Sequence, residues 1–183
     1  MKHSKKIAVA GVLAAMSAIL YIFPTFPVIP AFSWLEIDFA DIPAIFASIT
    51  ISPLVGGAVV LVRNTVHLLV SSTAMTGELS NFLISATFVV VTGVLYRAFG
   101  KVKYRLVLSL SIAAICQIVT AMAVNYFIMI PLYSNFVNFD EIGKSVYIFA
   151  GVVPFNAIKD VVTCIVFGLV YKYARPHLAK FLK

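Results

Sequence analysis

YRLVLSLSIAAICQIVTAMAVNYFIMI, residues Tyr104–Ile130, carries one charged side chain, Arg105, and shows no alternation of polar with apolar positions. A hydrocarbon core about 30 Å thick takes roughly 20 residues of helix per crossing. Backbone polar groups in hydrocarbon must be satisfied internally, which leaves helix bundles or closed barrels. Barrel strands are short and alternate polar with apolar; this run is long and continuous, so it reads as a membrane helix. The rest of the chain repeats the pattern. Of 183 residues, 62% are hydrophobic and 11% charged, with a mean hydropathy of +1.03, where a soluble domain has about half its residues apolar. The expected fold is all-α, a six-transmembrane-helix bundle in which residues 1–183 form a single integral membrane domain.

Working outward, helix 1 is expected over Ser4–Phe23, stopped by Pro24, Pro27 and Pro30. MKHSKKIAVAGVLAAMSAIL opens like a signal peptide, with a basic segment before an apolar one, but the apolar run is long and more spans follow, so it counts as a helix. Helix 2 is expected from Asp41, with Asp as N-cap and Pro43 in the first turn, to Ser52; it is short for a crossing. Helix 3 follows over Leu54–Val70, the polar turn SSTAMTGE over Ser71–Glu78, and helix 4 over Leu79–Phe99. After helix 5, LYSNFVNFDEIGKS reads as a loop. Helix 6 starts between Val146 and Val153 and ends near Ala174, before a polar tail.

Charge sets the expected orientation. Eleven of the fourteen Lys and Arg residues lie on one side of this topology: Lys2, Lys5 and Lys6; Arg97, Lys101, Lys103 and Arg105; Lys172, Arg175, Lys180 and Lys183. The positive-inside rule then places both termini in the cytoplasm. The formal charge of +7 does not point to nucleic acid, because these residues cap hydrophobic runs and form no basic patch interleaved with aromatics. Six of the seven acids fall in or beside the outer connections, three of them in FSWLEIDFADIPAIF, Phe32–Phe46.

Three ionisable residues remain in the spans, Arg63, Lys159 and Asp160. A charge near the midplane faces the bundle interior, a partner or a water-filled cavity; the choice here is between a functional site and a structural pair such as Arg63 with Asp160. Asn156 and Lys159 share a face of helix 6, and Asn125 lies in the outer half of helix 5. Converging amide and ammonium groups suit a neutral ligand with carbonyl and ring-nitrogen acceptors, or else serve interhelical hydrogen bonding. Glu78 and Asn81 can reach the same mouth, or act as a helix-terminus acid and an interface amide. Phe32, Trp34 and Phe39 fit either a stack on a flat ligand or the headgroup belt.

Several chemistries are excluded. His67 with Ser71 and Ser72 lacks a nucleophile elbow and shows no orienting acid on its own helix. Cys116 and Cys164 share no metal-ligand spacing and read as core fillers. There is no Walker A or dinucleotide fingerprint and no metal cluster, so the chain is read as neither an enzyme nor an ATPase, without cofactor or metal. Helix 1 carries small residues every fourth position, Ala10, Ala14 and Ala18, beside Gly11 and Ala15. Such spacing lets another helix approach closely, either within the bundle or from a partner protein.

Taken together, EIDFADIPAIFAS, GELSNFL and FNAIKDVV on a six-helix chain with an Ala-xxx-Ala first helix resemble the substrate-binding S components of energy-coupling factor (ECF) vitamin transporters, most closely the riboflavin-specific branch. The resemblance implies a vitamin bound with high affinity near the outer face under the helix 1–2 loop. It also implies association with a transmembrane coupling protein and two cytoplasmic ATPases in a bacterial cell membrane. Mapped onto this sequence, it implies a pocket drawing on Leu35, Phe39, Asp41, Glu78, Asn81, Asn125, Asn156 and Lys159, with riboflavin or a related flavin as transported ligand. Ala10, Ala14 and Ala18 would form the docking face. The alternatives are an S component for another vitamin, a self-sufficient secondary transporter using Arg63, Lys159 and Asp160, and a small intramembrane enzyme, for which no nucleophile–base pair is evident.

Overall fold

The computed structural model describes residues 3–23, 25–32, 35–71, 75–134 and 139–181. It is a helical bundle. Helix α1 is His3–Ile22, α2 Asp41–Thr50, α3 Pro53–His67 and α4 Thr76–Ala98. Helix α5 runs over Arg105–Val124 and passes through a π-helical turn, Asn125–Met129, into Ile130–Tyr133. Helix α6 begins at Lys144–Val146, passes a π-helical stretch, Tyr147–Val152, and continues as Val153–Phe181. Four of these helices, α1, α4, α5 and α6, are long and apolar enough to cross a membrane.

The differences from expectation have local causes. The proline-rich loop after α1 contains a two-residue ribbon, β1 Phe26–Pro27 antiparallel to β2 Glu36–Ile37, and a tight helical turn at Pro30–Phe32. Asp41 does not cap α2. The cap position is Ala40, with no side-chain cap bond, because the Asp41 carboxylate is committed to an ion pair. Ser52 caps α3 instead, accepting from Val55 N at 3.2 Å, with Pro53 at the first helical position. The region read as a loop before helix 6 contains a helical turn, Phe139–Ile142, and the first turns of α6. Beyond Ala174 the chain continues helical to Phe181. Each π-helical stretch ends two residues before a proline, Pro131 or Pro154, whose ring cannot share space with the carbonyl four residues earlier.

Helix α2 is short because it lies inside: residues Asp41 to Ile49 are all buried. Its crossing with α3 and α4 depends on small side chains, since a Cβ at Gly56 or Gly93 would collide with Ser48. Ser48 Oγ meanwhile donates to Val89 O at 2.7 Å. Around it sits the main core, with Ile45, Phe46, Val60, Phe88, Val89, Ala113 and Phe167. A second cluster at the other end joins Phe32, Ala121, Ile130, Phe139, Tyr147, Ile148 and Val152. Phe32 therefore packs inward, its ring centroid 5.5 Å from that of Tyr147. It rests on Gly151, where a Cβ would come within 2.9 Å of the Phe32 ring.

The small-residue row on α1 also faces inward. Ala14 and Ala18 are each 8% exposed and Ala10 half-buried, while Gly11 and Ala15 are exposed. Ala14 and Ala18 thus pack within the bundle, where α1 meets α3 and α2.

Candidate functional site

A cavity of about 820 Å³ opens beside the second cluster. The loop after α1 supplies Leu35, Glu36 and Asp38 to its wall; the start of α4 supplies Glu78, Ser80 and Asn81; α5 supplies Gln117 and Asn125; α6 supplies Phe155, Asn156 and Lys159. Tyr21, His67 and Tyr147 add to its polar lining. The volume lies in the range of about 300–1,000 Å³ usual for small-molecule sites.

The polar groups are held by a bonded framework. Lys159 Nζ lies 2.8 Å from Asp38 Oδ2, with both side chains buried. Asp38 Oδ1 accepts from Ala40 N at 2.8 Å, and Ala40 O accepts from Ser17 Oγ at 2.7 Å. This chain of contacts ties α6 to the loop and the loop to α1. Asn125 and Asn156 each donate Nδ2 to a carbonyl one turn earlier, Ala121 O at 2.9 Å and Val152 O at 2.8 Å. That fixes both side chains, and Asn125 Oδ1 accepts from Tyr147 Oη at 2.9 Å. At the mouth, His67 Nδ1 and Glu78 Oε1 are 2.8 Å apart.

Six residues singled out from the sequence, Leu35, Glu78, Asn81, Asn125, Asn156 and Lys159, lie on this wall. Phe39 and Asp41 do not. Phe39 packs against the main core and borders a separate apolar groove with Leu13, Met16 and Val166. Asp41 pairs with Arg63 at 2.7 Å, both nearly inaccessible, and Arg63 Nη2 donates to Asn81 Oδ1 at 3.2 Å. The pairing of Arg63 with Asp160 is thereby corrected: Asp160 is 3% exposed, and its Oδ2 has no hydrogen-bond partner among the described residues. Trp34 lies outside the described residues, as does Ser72.

Asp38 and Gln117 are among the polar wall residues that were not singled out from the sequence. Asp38 faces a partner 121 positions away, a pairing with no local signal. Gln117 was findable, because it stands eight residues before Asn125 and shares its helix face. It is 1% exposed, and its Oε1 has no hydrogen-bond partner among the described residues. A buried amide oxygen facing a cavity is a fixed acceptor for a ligand donor.

A helical membrane bundle enclosing a polar-studded cavity at one end is a small-molecule binding architecture. The chain belongs to the substrate-specific components of ECF transporters, whose family model matches residues 5–171. A solved structure described as the S component of a bacterial ECF transporter superposes with a TM-score of 0.82 at 33% identity, covering 100% of this chain and 99% of that one. The chain is also similar to the riboflavin transporter RibU of Staphylococcus aureus (strain TCH60), at 34% identity over 100% of this chain and 95% of the relative. Its identity to the riboflavin transporter FmnP of Bacillus subtilis (strain 168) is 29%, over 94% and 93% of the two chains. The family is one of membrane transport components and not of enzymes.

Proposed function

We propose that this protein is the riboflavin-binding S component of an ECF-type vitamin transporter in a bacterial cell membrane, with residues 1–183 acting as one domain. The observation that carries the reading is the cavity wall, where Asn125, Asn156, Lys159 and Gln117 stand among Leu35, Ile84, Val152 and Phe155. A flavin needs both sets of partners: apolar walls for a flat ring system, and fixed donors and acceptors for pyrimidine carbonyls, ring N–H and ribityl hydroxyls. The names of the full-length relatives support the choice of ligand.

In this reading the bundle crosses the membrane six times with both termini in the cytoplasm, the orientation favoured by the basic inner connections. The shorter α2 and α3 form one of the passes inward and back. The cavity then opens outward under the loop between α1 and α2. Energy comes from a transmembrane coupling protein and two cytoplasmic ATPases. The small-residue face of α1, Ala10, Ala14 and Ala18 with the exposed Gly11 and Ala15 beside them, offers the coupling protein a close approach.

The deciding experiment is a fluorescence titration of the purified protein with riboflavin, FMN and an unrelated vitamin. Stoichiometric quenching by riboflavin is the expected result. A colourless protein that leaves riboflavin fully fluorescent overturns the ligand assignment. Uptake that survives deletion of the ATPases overturns the coupling assignment in favour of a secondary transporter.

A further inference from the structure

The end of the bundle opposite the cavity holds a second cleft, of about 460 Å³, where the end of α4 meets the start of α5. Its wall includes Tyr96, Lys101, Lys103, Arg105 and Tyr171. Arg105 is held in place: Nη1 donates to Gly100 O at 2.6 Å, Nη2 donates to Tyr96 Oη at 2.8 Å, and the guanidinium lies 4.1 Å from the Tyr96 ring centroid. The Tyr96 and Tyr171 hydroxyls are 2.7 Å apart.

Three cations thus surround one concave space. The chain's acids are Glu36, Asp38, Asp41, Glu78, Asp140, Glu141 and Asp160, and none of them lines the cleft. The first turn of α5, at Leu106 and Val107, is also part of it, and Tyr104 at the cap position makes no side-chain cap bond. The positive end of a 20-residue helix therefore adds to the field of the side chains.

We propose that this cleft binds the phosphate of an anionic lipid headgroup. What favours a lipid over a free anion is the surface below the cleft. Leu108, Ile112, Ile115 and Val119 are exposed along one face of α5, so an acyl chain can lie along the helix from a phosphate held by Lys101, Lys103 and Arg105. Fixed cations at the membrane surface recruit anionic lipid, and an immobilised guanidinium that still has free N–H groups suits a phosphate better than a mobile one.

The test is native mass spectrometry of the delipidated, purified protein titrated with phosphatidylglycerol, with phosphatidylcholine as the neutral comparison and inorganic phosphate as competitor. Lys101→Gln with Lys103→Gln removes two exposed charges and leaves every Arg105 contact in place. Lys5→Gln with Lys6→Gln removes the same charge elsewhere on the chain. The cleft pair is expected to weaken phosphatidylglycerol retention by about fivefold per cation, while the α1 pair changes it less than about twofold and phosphatidylcholine is retained equally by all variants. Equal losses from both pairs, or no loss from either, overturn the proposal. Displacement of phosphatidylglycerol by millimolar inorganic phosphate overturns the lipid as the source of the phosphate. Arg105→Gln is the sharper variant wherever its thermal unfolding matches that of the parent, and it should lose at least as much retention as Lys101→Gln with Lys103→Gln.

Discussion

Asp38 and Asp41 sit three positions apart in the chain, and each holds a buried cation, Lys159 at 2.8 Å and Arg63 at 2.7 Å. Only the first pair lies on the cavity wall. Lys159 joins α6 to the loop that edges the cavity, while Arg63 joins α2, α3 and α4 beneath it. The same chemistry thus lines the cavity in one place and ties the scaffold together in the other. Buried charge alone does not mark a ligand contact; position on the cavity surface separates the two.

Breaking the scaffold pair should give the largest effect. Arg63→Met strands a carboxylate that is 1% exposed, and removing one partner of a buried pair costs about 3–5 kcal/mol. Thermal unfolding in detergent should record that loss, whereas flavin affinity in the folded fraction stays within about threefold. Arg63→Met with Asp41→Leu should recover most of the stability, because a packed apolar pair replaces a buried ion pair at little net cost. A double variant no more stable than the single one would show that Arg63 matters through Asn81 or through its contact with the Tyr21 ring, 5.3 Å away.

Breaking the site pair should act on binding. Lys159→Ala removes a charged donor from the wall, a loss of about 1.5–3 kcal/mol per hydrogen bond to a charged group, so flavin affinity should fall at least about tenfold. Fluorescence titration reads this directly. Affinity unchanged in folded protein removes Lys159 from the site and reduces the two pairs to one kind.

The contrast also shows what the sequence carried. Long apolar runs specify helices whatever their neighbours, so all six were legible to within a few residues, except where α5 and α6 widen before Pro131 and Pro154 and where α6 runs on past Ala174 to Phe181. The polar residues of α5 and α6, Asn125, Asn156 and Lys159, were legible because they interrupt apolar runs at helical spacing. Which charge meets which was not. Asp41 and Asp160 are both buried acids that Arg63 could be expected to meet, and the packing of α2 against α3 selects the first. Small residues on α1 announced a close approach without naming the neighbour, and Ala14 and Ala18 turned out to meet the bundle. Asp41 at the start of α2 looked like a cap because local preference is all a sequence offers there.

Gln117 gives a smaller and cleaner effect. Its Oε1 is unpartnered among the described residues, so Gln117→Leu removes a buried polar group without stranding a protein donor. A neutral hydrogen bond contributes about 0.5–1.5 kcal/mol, so flavin affinity should fall by about three- to tenfold while thermal stability is unchanged or rises. A structural role for Gln117 would move stability and leave affinity alone.

Phe39→Leu should have the smallest effect and tests the boundary of the site. Phe39 lies between the acids of the two pairs in the chain, yet it is absent from the cavity wall and packs beside Ile42 and Phe46 on the far side of the loop. A volume-reducing swap at a half-buried aromatic costs less than about 1.5 kcal/mol, so unfolding shifts slightly and flavin affinity stays within about twofold. A larger loss of affinity would mean that the loop carrying Asp38 moves with Phe39 when ligand enters. Lys159 would then be held by a mobile partner, and the site pair would differ from the scaffold pair in rigidity as well as in position.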